Sequence, residues 1–257
     1  MLNKILLQKQ REVNNFTIPN VKRKHENRSF VNALKNPNHS VALIAEIKRA
    51  SPSKGIINDS VDPVNVAKAY ENAGADAISV LTDTTFFKGT IDDLMVVKEN
   101  VNLPILRKDF IIDKKQIDES KVIGADAILL IVKALGAEKT YEFYMYAIDM
   151  GLDCLVEIHE AIELFQVLEF FTPAVIGVNN RNLANFNTTL QMTESVANFI
   201  PKESIFISES GIHSREDIDT VKQLGAHGVL VGEALMKAST PEAGIKQLFS
   251  SERMNLK

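Results

Sequence analysis

Short apolar runs rich in Val, Ile and Leu recur along the chain from residue 42 onward, and a polar loop and a longer segment with helical periodicity follow each run. Consecutive runs begin 21 to 34 residues apart. There are eight of them, at 42–48, 76–81, 104–109, 126–132, 153–158, 174–179, 204–210 and 227–232. Runs that are apolar on both faces are typical of the buried strands of a parallel sheet. Eight strand–helix units predict an α/β fold of the closed (β/α)8 type.

An open, doubly wound sheet is the competing architecture. The repeated Gly-Ala-Asp or Gly-Ala-His at 74–76, 124–126 and 225–227 fits both folds, because glycine ends a helix just before the next strand begins. The open sheet would be favoured by a G-x-G-x-x-G motif after the first strand, and the sequence has none there. The closed barrel is therefore the prediction.

Residues 1–41 lie outside this repeat. They are polar and basic, with scattered apolar positions such as Ile5, Phe30 and Leu34, and we expect one or two helices that precede the barrel. A separate domain of about 40 residues would be only marginally stable. We therefore interpret 1–257 as one domain, with a helical extension at 1–41 and the eight units at 42–251. The basic cluster at 22–28 is expected to be a solvated helix face, although it could also contact a substrate.

The composition narrows the functional classes. With 45% hydrophobic residues, 24% charged residues and a formal net charge of -4, the chain is typical of a globular protein. The acidic balance disfavours general nucleic-acid binding but leaves room for a small anionic substrate. The absence of a long apolar run predicts no membrane span, and Lys4 and Gln8 interrupt the apolar start, so a cytoplasmic location is expected. No surface stripe indicates an interface, so we expect a monomer.

Charged and polar residues gather where the predicted strands end, which is where (β/α)8 barrels carry their sites. They include Glu46 and Lys48 on strand 1, Arg107, Lys108 and Asp109 on strand 3, Glu157 on strand 5, Asn179, Asn180 and Arg181 on strand 6, Glu209 on strand 7 and Glu233 after strand 8. The alternative interpretation is that charged strand ends simply meet solvent. Here several lie inside apolar runs, where an unpaired charge would be costly, so a functional site is the better interpretation.

Two further segments suggest a phosphate site. Gly211 in the segment 208–211 and Gly232 in the segment 231–235 each stand where we expect a helix to begin. Backbone N–H groups at such turns bind phosphate, and the loops after strands 7 and 8 are its usual location in this fold. For either glycine alone an ordinary turn would suffice as an explanation. Their joint position favours a phosphate site.

The segment 44–57 resembles the signature of the indole-3-glycerol-phosphate synthase family, the ring-closing enzymes of tryptophan biosynthesis. Its pattern E-x-K-x-x-S-P-S-x-G is carried by Glu46, Lys48, Ser51, Pro52, Ser53 and Gly55. The resemblance continues in order through 77–90, 104–113, the Glu157 strand, 176–183, 207–212 and 228–236. Departures are minor: Thr90 stands where Ser is common, and Asn182 where Asp is common.

This resemblance implies a substrate, 1-(2-carboxyphenylamino)-1-deoxyribulose 5-phosphate, and a set of site residues. The implied catalytic residues are Lys108, Glu157, Lys48, Glu46, Asn179 and Glu209. The implied substrate and phosphate contacts are Ser51, Phe110, Leu130, Arg181, Ser210, Gly211, Leu230, Gly232 and Glu233. Phe110 and Leu130 would form a wall for the aromatic ring. Glu233 would act through its backbone N–H, with its side chain pointing away from the phosphate. In the family, the N-terminal segment covers the barrel mouth.

The implied chemistry assigns a role to each charge. Lys108 would be the general acid, with a pKa lowered by neighbouring cations, while Lys48 would hold the substrate carboxylate. Glu157 would serve as the base in the dehydration, and Glu46 and Glu209 would orient the lysines. The five histidines share no ligand spacing, and the lysines supply the electrophilic charge, so neither a metal nor a cofactor is expected.

Two alternatives remain open at this point. One is another enzyme on a phosphate-binding barrel, such as a phosphoribosylanthranilate isomerase. That chemistry is usually served by a Cys base, and Cys154 sits in the middle of an apolar strand, where a buried structural thiol is expected. The other is a non-catalytic barrel that senses a phosphorylated metabolite, whose mark would be the loss of Lys48, Lys108 or Glu157.

Overall fold

Eight parallel strands form a closed barrel in a computed structural model that describes residues 1–21, 26–52, 55–57, 61–181 and 187–249. The strands are β1 (Ala42–Ile47), β2 (Ala77–Leu81), β3 (Ile105–Lys108), β4 (Ala127–Ile131), β5 (Asp153–Ile158), β6 (Val175–Asn179), β7 (Ile205–Glu209) and β8 (Gly228–Val231). Each predicted run contains one of them, and β8 pairs with β1 to close the barrel. The (β/α)8 prediction is confirmed, and the open sheet was wrong. Ser53, Asn182 and residues 22–25 of the basic cluster lie outside the described residues.

Helices occupy the connections between strands and the segment before β1. They are α1 (Leu2–Asn14), α2 (Phe30–Lys35), α3 (Pro63–Asn72), α4 (Thr84–Phe87), α5 (Ile91–Asn100), α6 (Lys114–Val122), α7 (Val132–Leu135), α8 (Ala137–Asp149), α9 (Ala161–Leu168), α10 (Gln191–Val196), α11 (Arg215–Gln223), α12 (Glu233–Lys237) and α13 (Pro241–Phe249). A 3-10 turn at Ala197–Phe199 follows α10, and a small hairpin pairs Ala50–Ser51 with Gly55–Ile56. No helix in these described ranges is long and apolar enough to cross a membrane.

Side-chain alternation along the strands separates two packed layers. Every second residue points into the barrel, where one cluster includes Ala42, Ile44, Ala77, Leu106, Ala127, Leu129, Leu155, Val175, Ile207 and Leu230. The other residues pack against the helices, as Ile128 does against Ile117 and Phe143. The interior is thus a filled core up to the ends of the strands, and a cavity can open only beyond it.

The segment before β1 reaches both ends of the barrel. At the N-terminal end of the strands, Phe30 and Leu34 of α2 are fully buried within the interior cluster. The backbone N–H groups of Arg28, Val31 and Asn38 bind Asp126, Asp153 and Asp76 at the starts of three strands. At the opposite end, the first residues of α1 line the cavity described below. The extension therefore closes the base with α2 and covers part of the mouth with α1.

Candidate active site

Fourteen of the fifteen predicted site residues line one cavity at the C-terminal ends of the strands. They are Glu46, Lys48, Ser51, Lys108, Phe110, Glu157, Asn179, Arg181, Glu209, Ser210, Gly211, Leu230, Gly232 and Glu233. Strand alternation explains why charged groups meet here. Because Ala42 and Ile44 point into the barrel, Glu46, two residues further along β1, and Lys48, just after the end of β1, point the same way. The apolar barrel interior lies below them, so the charged side chains are confined to the C-terminal end of the barrel.

Leu130 is the exception, and its prediction as a wall for the aromatic ring was wrong. It is fully buried on the outer side of β4, in the cluster that contains Ile117 and Phe143. Its neighbours Leu129 and Ile131 line the cavity instead. The run 126–132 is apolar on both faces, so its composition does not reveal which alternate residues point inward.

Lys108 stands between two buried carboxylates. Its Nζ lies 3.4 Å from Oε2 of Glu157 and 3.5 Å from Oε2 of Glu209. Burial alone would lower the pKa of Lys108, but the charges of Glu157, Glu209 and Glu46 outweigh it and raise the pKa. The predicted lowering by neighbouring cations was wrong, because the nearest charged groups are anions. Lys108 is therefore a firmly cationic ammonium group.

Glu157 and Glu209 have opposite titration behaviour although both are buried. Burial favours the neutral form of each, but Lys108 and His159 lower the pKa of Glu157. For Glu209, burial and the charge of Glu157 together raise the pKa well above its usual value, despite Lys108. Two carboxylates with such different environments are suited to different roles: the lowered pKa of Glu157 favours its ionised form, and the raised pKa of Glu209 favours its protonated form. The cavity thus contains an acid and a base beside one ammonium group.

A second ion pair lies at the end of β1. Nζ of Lys48 is 2.6 Å from Oε1 of Glu46, and this pair, together with Lys108, keeps the pKa of Glu46 below its usual value despite its burial. Gly232 makes room for the pair, since a Cβ at residue 232 would lie 2.4 Å from Oε1 of Glu46. Gly177 does the same for Glu209, whose Oε1 would be 2.0 Å from a Cβ there. Both glycines thus have a packing reason beyond turn formation.

The loop after β7 turns sharply at the cavity. Ser210 and Gly211 have consecutive positive φ angles of 65° and 79°. Asn180 stabilises this turn, because its Nδ2 donates to the backbone oxygens of Glu209 and Ser210 at 3.1 Å each. Helix α11 begins at Arg215, capped by Ser214, so the prediction of a helix start at Gly211 was wrong. Gly232, as predicted, is the residue that precedes a helix, α12.

Arg181 and Glu233 face each other across the end of β6 and the start of α12. The backbone N–H of Arg181 donates to Oδ1 of Asn179 at 3.0 Å, which fixes the chain direction at the end of β6. Nη2 of Arg181 lies 3.9 Å from Oε2 of Glu233, whose other oxygen is 2.7 Å from Nζ of Lys237. The charge of the Glu233 carboxylate is therefore balanced by two cations, which reduces its repulsion of a phosphate at this end of the cavity.

Several cavity residues were missed by the sequence analysis. The apolar wall is formed by Leu81, Phe87, Leu129 and Ile131, and α1 contributes Met1, Leu2 and Ile5. His159 also lines the cavity, with Nε2 3.3 Å from Oε1 of Glu157. Its position two residues after Glu157, just past the end of β5, was the available signal, because residues two apart along an extended chain point to the same side.

The thiol of Cys154 lies away from the cavity. It is buried in the outer cluster with Phe143 and Leu152, and burial raises its pKa well above the usual value. A thiol in this position is a packing group. Within the described ranges no three His, Cys, Asp or Glu side chains are arranged to hold a metal ion.

Comparisons with known proteins show which family the chain resembles. A family model described as "Indole-3-glycerol phosphate synthase" matches residues 2–248. A protein of that name from Halalkalibacterium halodurans is 51% identical over 255 residues and covers 98% of both chains. Another, from Geobacillus sp., is 52% identical over 249 residues, or 97% of this chain and 96% of the relative. A solved structure described as "Native KDPGal structure" has a TM-score of 0.57 at 16% identity over 82% of this chain and 92% of that chain, which supports the fold alone.

Proposed function

The chain belongs to the indole-3-glycerol phosphate synthase family of tryptophan biosynthesis, and we propose that Lys108 and Glu157 carry out its chemistry as general acid and base. The substrate is 1-(2-carboxyphenylamino)-1-deoxyribulose 5-phosphate. Its conversion to indole-3-glycerol phosphate forms one carbon–carbon bond and releases CO2 and water. The observation that carries the proposal is the position of the Lys108 ammonium between Glu157 and Glu209 in a cavity with an apolar wall.

Ring closure is the step for Lys108. The aromatic carbon that bears the carboxylate attacks the ketone carbon, and the electron pair of the C=O bond moves onto oxygen as an alkoxide. Lys108 enters this step protonated, since its pKa is raised, so its Nζ can stabilise the alkoxide and transfer a proton to it. Loss of CO2 then returns the electron pair of the broken carbon–carbon bond to the ring and restores its aromaticity.

Dehydration is the step for Glu157. The base removes a proton from the carbon next to the nitrogen, the new ring double bond forms, and the hydroxyl leaves as water after it accepts a proton. Glu157 is ionised and can accept the first proton. The departing hydroxyl requires an acid, which Lys108 supplies once it has been reprotonated, and the protonated form of Glu209, which its raised pKa favours, supports it.

The remaining cavity residues bind the substrate. Lys48 is positioned for the substrate carboxylate, with Glu46 orienting its Nζ at 2.6 Å. Phe110, Leu230 and the apolar residues Leu81, Leu129 and Ile131 form the surface for the aromatic ring. The backbone at Gly211 and Gly232 binds the phosphate, together with Ser51, Ser210, Arg181 and the N–H of Glu233. Asn179 donates to a substrate oxygen without adding charge.

The outward position of Cys154 disfavours the isomerase alternative, because that reaction would need a thiol in the cavity. We also propose a single domain that acts as a monomer in the cytoplasm without nucleic acid. Residues of one chain supply every group named in the reaction, and the net charge is -4.

The decisive experiment supplies the carboxyphenylamino substrate to the wild type and to Lys108→Ala, and follows indole fluorescence. We expect turnover by the wild type and a rate lower by roughly 10²- to 10⁴-fold in the variant, while phosphate-dependent binding persists. Lys115→Ala, at an exposed position on α6, is the matched control and should match the wild type. A Lys108→Ala enzyme with most of its rate would contradict the acid assignment, and a wild type that forms no indole would favour the phosphate sensor.

A further inference from the structure

Lys9 is a buried cation on the helix that covers the barrel mouth. It is only 4% exposed and shares the inward face of α1 with Ile5 and Val13, at spacings of four residues. Ile5 lines the cavity, and Lys9 lies one helical turn after it, just outside the part of α1 that lines the cavity. A lysine in this position would be costly without partners, because burial disfavours the charged form.

Three carboxylates surround the ammonium group of Lys9. Its Nζ lies 2.9 Å from Oε2 of Glu12 on the same helix, 3.0 Å from Oδ2 of Asp83 and 2.9 Å from Oδ1 of Asp109. Burial alone would lower the pKa of Lys9, but Asp109 and Asp83 raise it. Lys9 and Arg107 in turn lower the pKa of the buried Asp109 to about 2. The group is therefore a set of mutually stabilised charges.

Asp109 connects Lys9 to the strand that carries the general acid. It follows Lys108 directly, and its Oδ2 accepts a hydrogen bond of 2.6 Å from Thr82 and lies 3.3 Å from Nη2 of Arg107. Its Oδ1 also accepts from the backbone N–H of Phe110 at 2.8 Å. The backbone on both sides of this aspartate thus bears a cavity residue, Lys108 before it and Phe110 after it.

Asp83 connects Lys9 to the opposite aromatic wall. It caps α4, because its Oδ1 accepts from the backbone N–H groups of Phe86 at 2.6 Å and Phe87 at 3.2 Å. The ring of Phe87 lines the cavity, with its centroid 6.1 Å from that of Phe110. The Lys9 cation therefore joins α1 to the segments that follow β2 and β3, and these segments carry the rings of Phe87 and Phe110.

We propose that Lys9 is a positioning residue for the ring closure: its contacts with Asp83 and Asp109 seat α1 over the mouth and fix the ends of β2 and β3 that present Phe87, Lys108 and Phe110. The proposal rests on the reaction proposed above, in which Lys108 protonates the alkoxide. Lys9 does not line the cavity, but its partner Asp109 does, so the effect of Lys9 on the chemistry passes through Asp109, the adjoining backbone and α1. An acid displaced by about 1 Å can lose up to a hundredfold in rate.

The test compares Lys9→Met with Lys9→Arg and with the control Lys4→Met, which removes an exposed lysine from the same helix. We expect Lys9→Met to lower kcat by roughly tenfold to a hundredfold and to raise KM, per folded molecule and well below its melting temperature. Lys9→Arg should recover part of the kcat, because it keeps a cation between the aspartates. Lys4→Met should match the wild type in both constants. Trypsin should cleave Lys9→Met faster after Arg11, which reports the release of α1 without reference to activity.

Distinct results overturn the two proposals. Wild-type kcat and KM for Lys9→Met would overturn the positioning role, whereas an inactive wild type would overturn the proposed reaction. If Lys9→Met does not fold, Asp83→Asn serves in its place, since asparagine retains the cap of α4 but removes a charge facing Lys9. We expect Asp83→Asn to lower kcat/KM severalfold and to speed cleavage after Arg11. Unchanged values for both measurements would contradict the proposal.

Discussion

The two ends of the barrel both bury charged side chains, but they satisfy them differently. At the base, both oxygens of Asp126 contact Nζ of Lys98, at 2.7 and 2.6 Å, and each oxygen also accepts a backbone N–H, from Arg28 and from Ile105. At the mouth, one ammonium group, that of Lys108, serves two carboxylates at 3.4 and 3.5 Å. The base thus has a short ion pair with a backbone donor on each carboxylate oxygen, whereas Lys108 at the mouth is shared between two carboxylates at longer distances.

This difference indicates what each end contributes. A buried ion pair whose two carboxylate oxygens also accept backbone N–H groups holds its neighbours in place, and at the base it joins α5, β3, the residue before β4 and the segment before α2. Groups at the mouth must instead exchange protons and receive a substrate, so their partners are incomplete. Stability at the N-terminal face and catalysis at the C-terminal face are the usual division in this fold.

The largest expected effect is on the rate, at the mouth. Glu157→Gln removes the base, and we expect kcat to fall by roughly 10²- to 10⁴-fold. Glu157 acts in its ionised form and its pKa lies below the usual glutamate value, so the wild-type rate should stay level as the pH falls from 7 to about 5. Steady-state rates across this range test both statements, with Glu160→Gln as the control. A wild-type rate that already halves near pH 6 would contradict the assignment of Glu157.

At the base, the largest effect should be on stability. Lys98→Met leaves the Asp126 carboxylate buried without its cation, and we expect a loss of about 3–5 kcal/mol in the free energy of unfolding. The kcat and KM should be unchanged below the melting transition, since Lys98 is remote from the cavity lining. Lys114→Met removes one partner of an exposed pair and should stay within about 1 kcal/mol of the wild type. Urea titration measures both losses, and equal losses would contradict the stabilising role of the buried Lys98–Asp126 pair at the base.

The same two ends show what the sequence could and could not predict. Strand order, strand bounds and the charged strand ends followed from apolar runs and from the spacing of residues. The Gly-Ala-Asp repeats were interpreted through their glycines, while the aspartates Asp76 and Asp126 proved to bind the extension. Asn38 and Asp76 are 38 positions apart, and Arg28 and Asp126 are 98 positions apart, so no local sequence pattern could show these two contacts.

The errors at the mouth have a similar origin. The inward side of β4 was not readable because Leu129, Leu130 and Ile131 are equally apolar, and neighbouring strands decide which of them face the cavity. The pKa of Lys108 depends on Glu157 and Glu209, which come from two other strands. A sequence identifies which groups carry charge, but the sign of their mutual effect depends on which ones meet in space.

The smallest expected effect is a gain in stability at the mouth. It separates the two ends most clearly, because Lys98→Met at the base should instead lose stability. The pKa of Glu209 is higher in the folded protein than its ordinary value of 4.5, so the unfolded chain releases this proton first as the pH rises. Glu209 therefore lowers stability progressively above about pH 4.5, up to its raised pKa, and Glu209→Gln should gain about 0.5–2 kcal/mol at pH 7. The gain in stability should shrink as the pH falls toward 4.5. The kcat of Glu209→Gln should be lower than that of the wild type, since the variant lacks the carboxylic acid. Urea titrations at pH 7 and 4.5, with Glu203→Gln as an exposed control, measure this. A variant less stable than the wild type at pH 7 would mean that Glu209, like Lys98, is there to hold the fold.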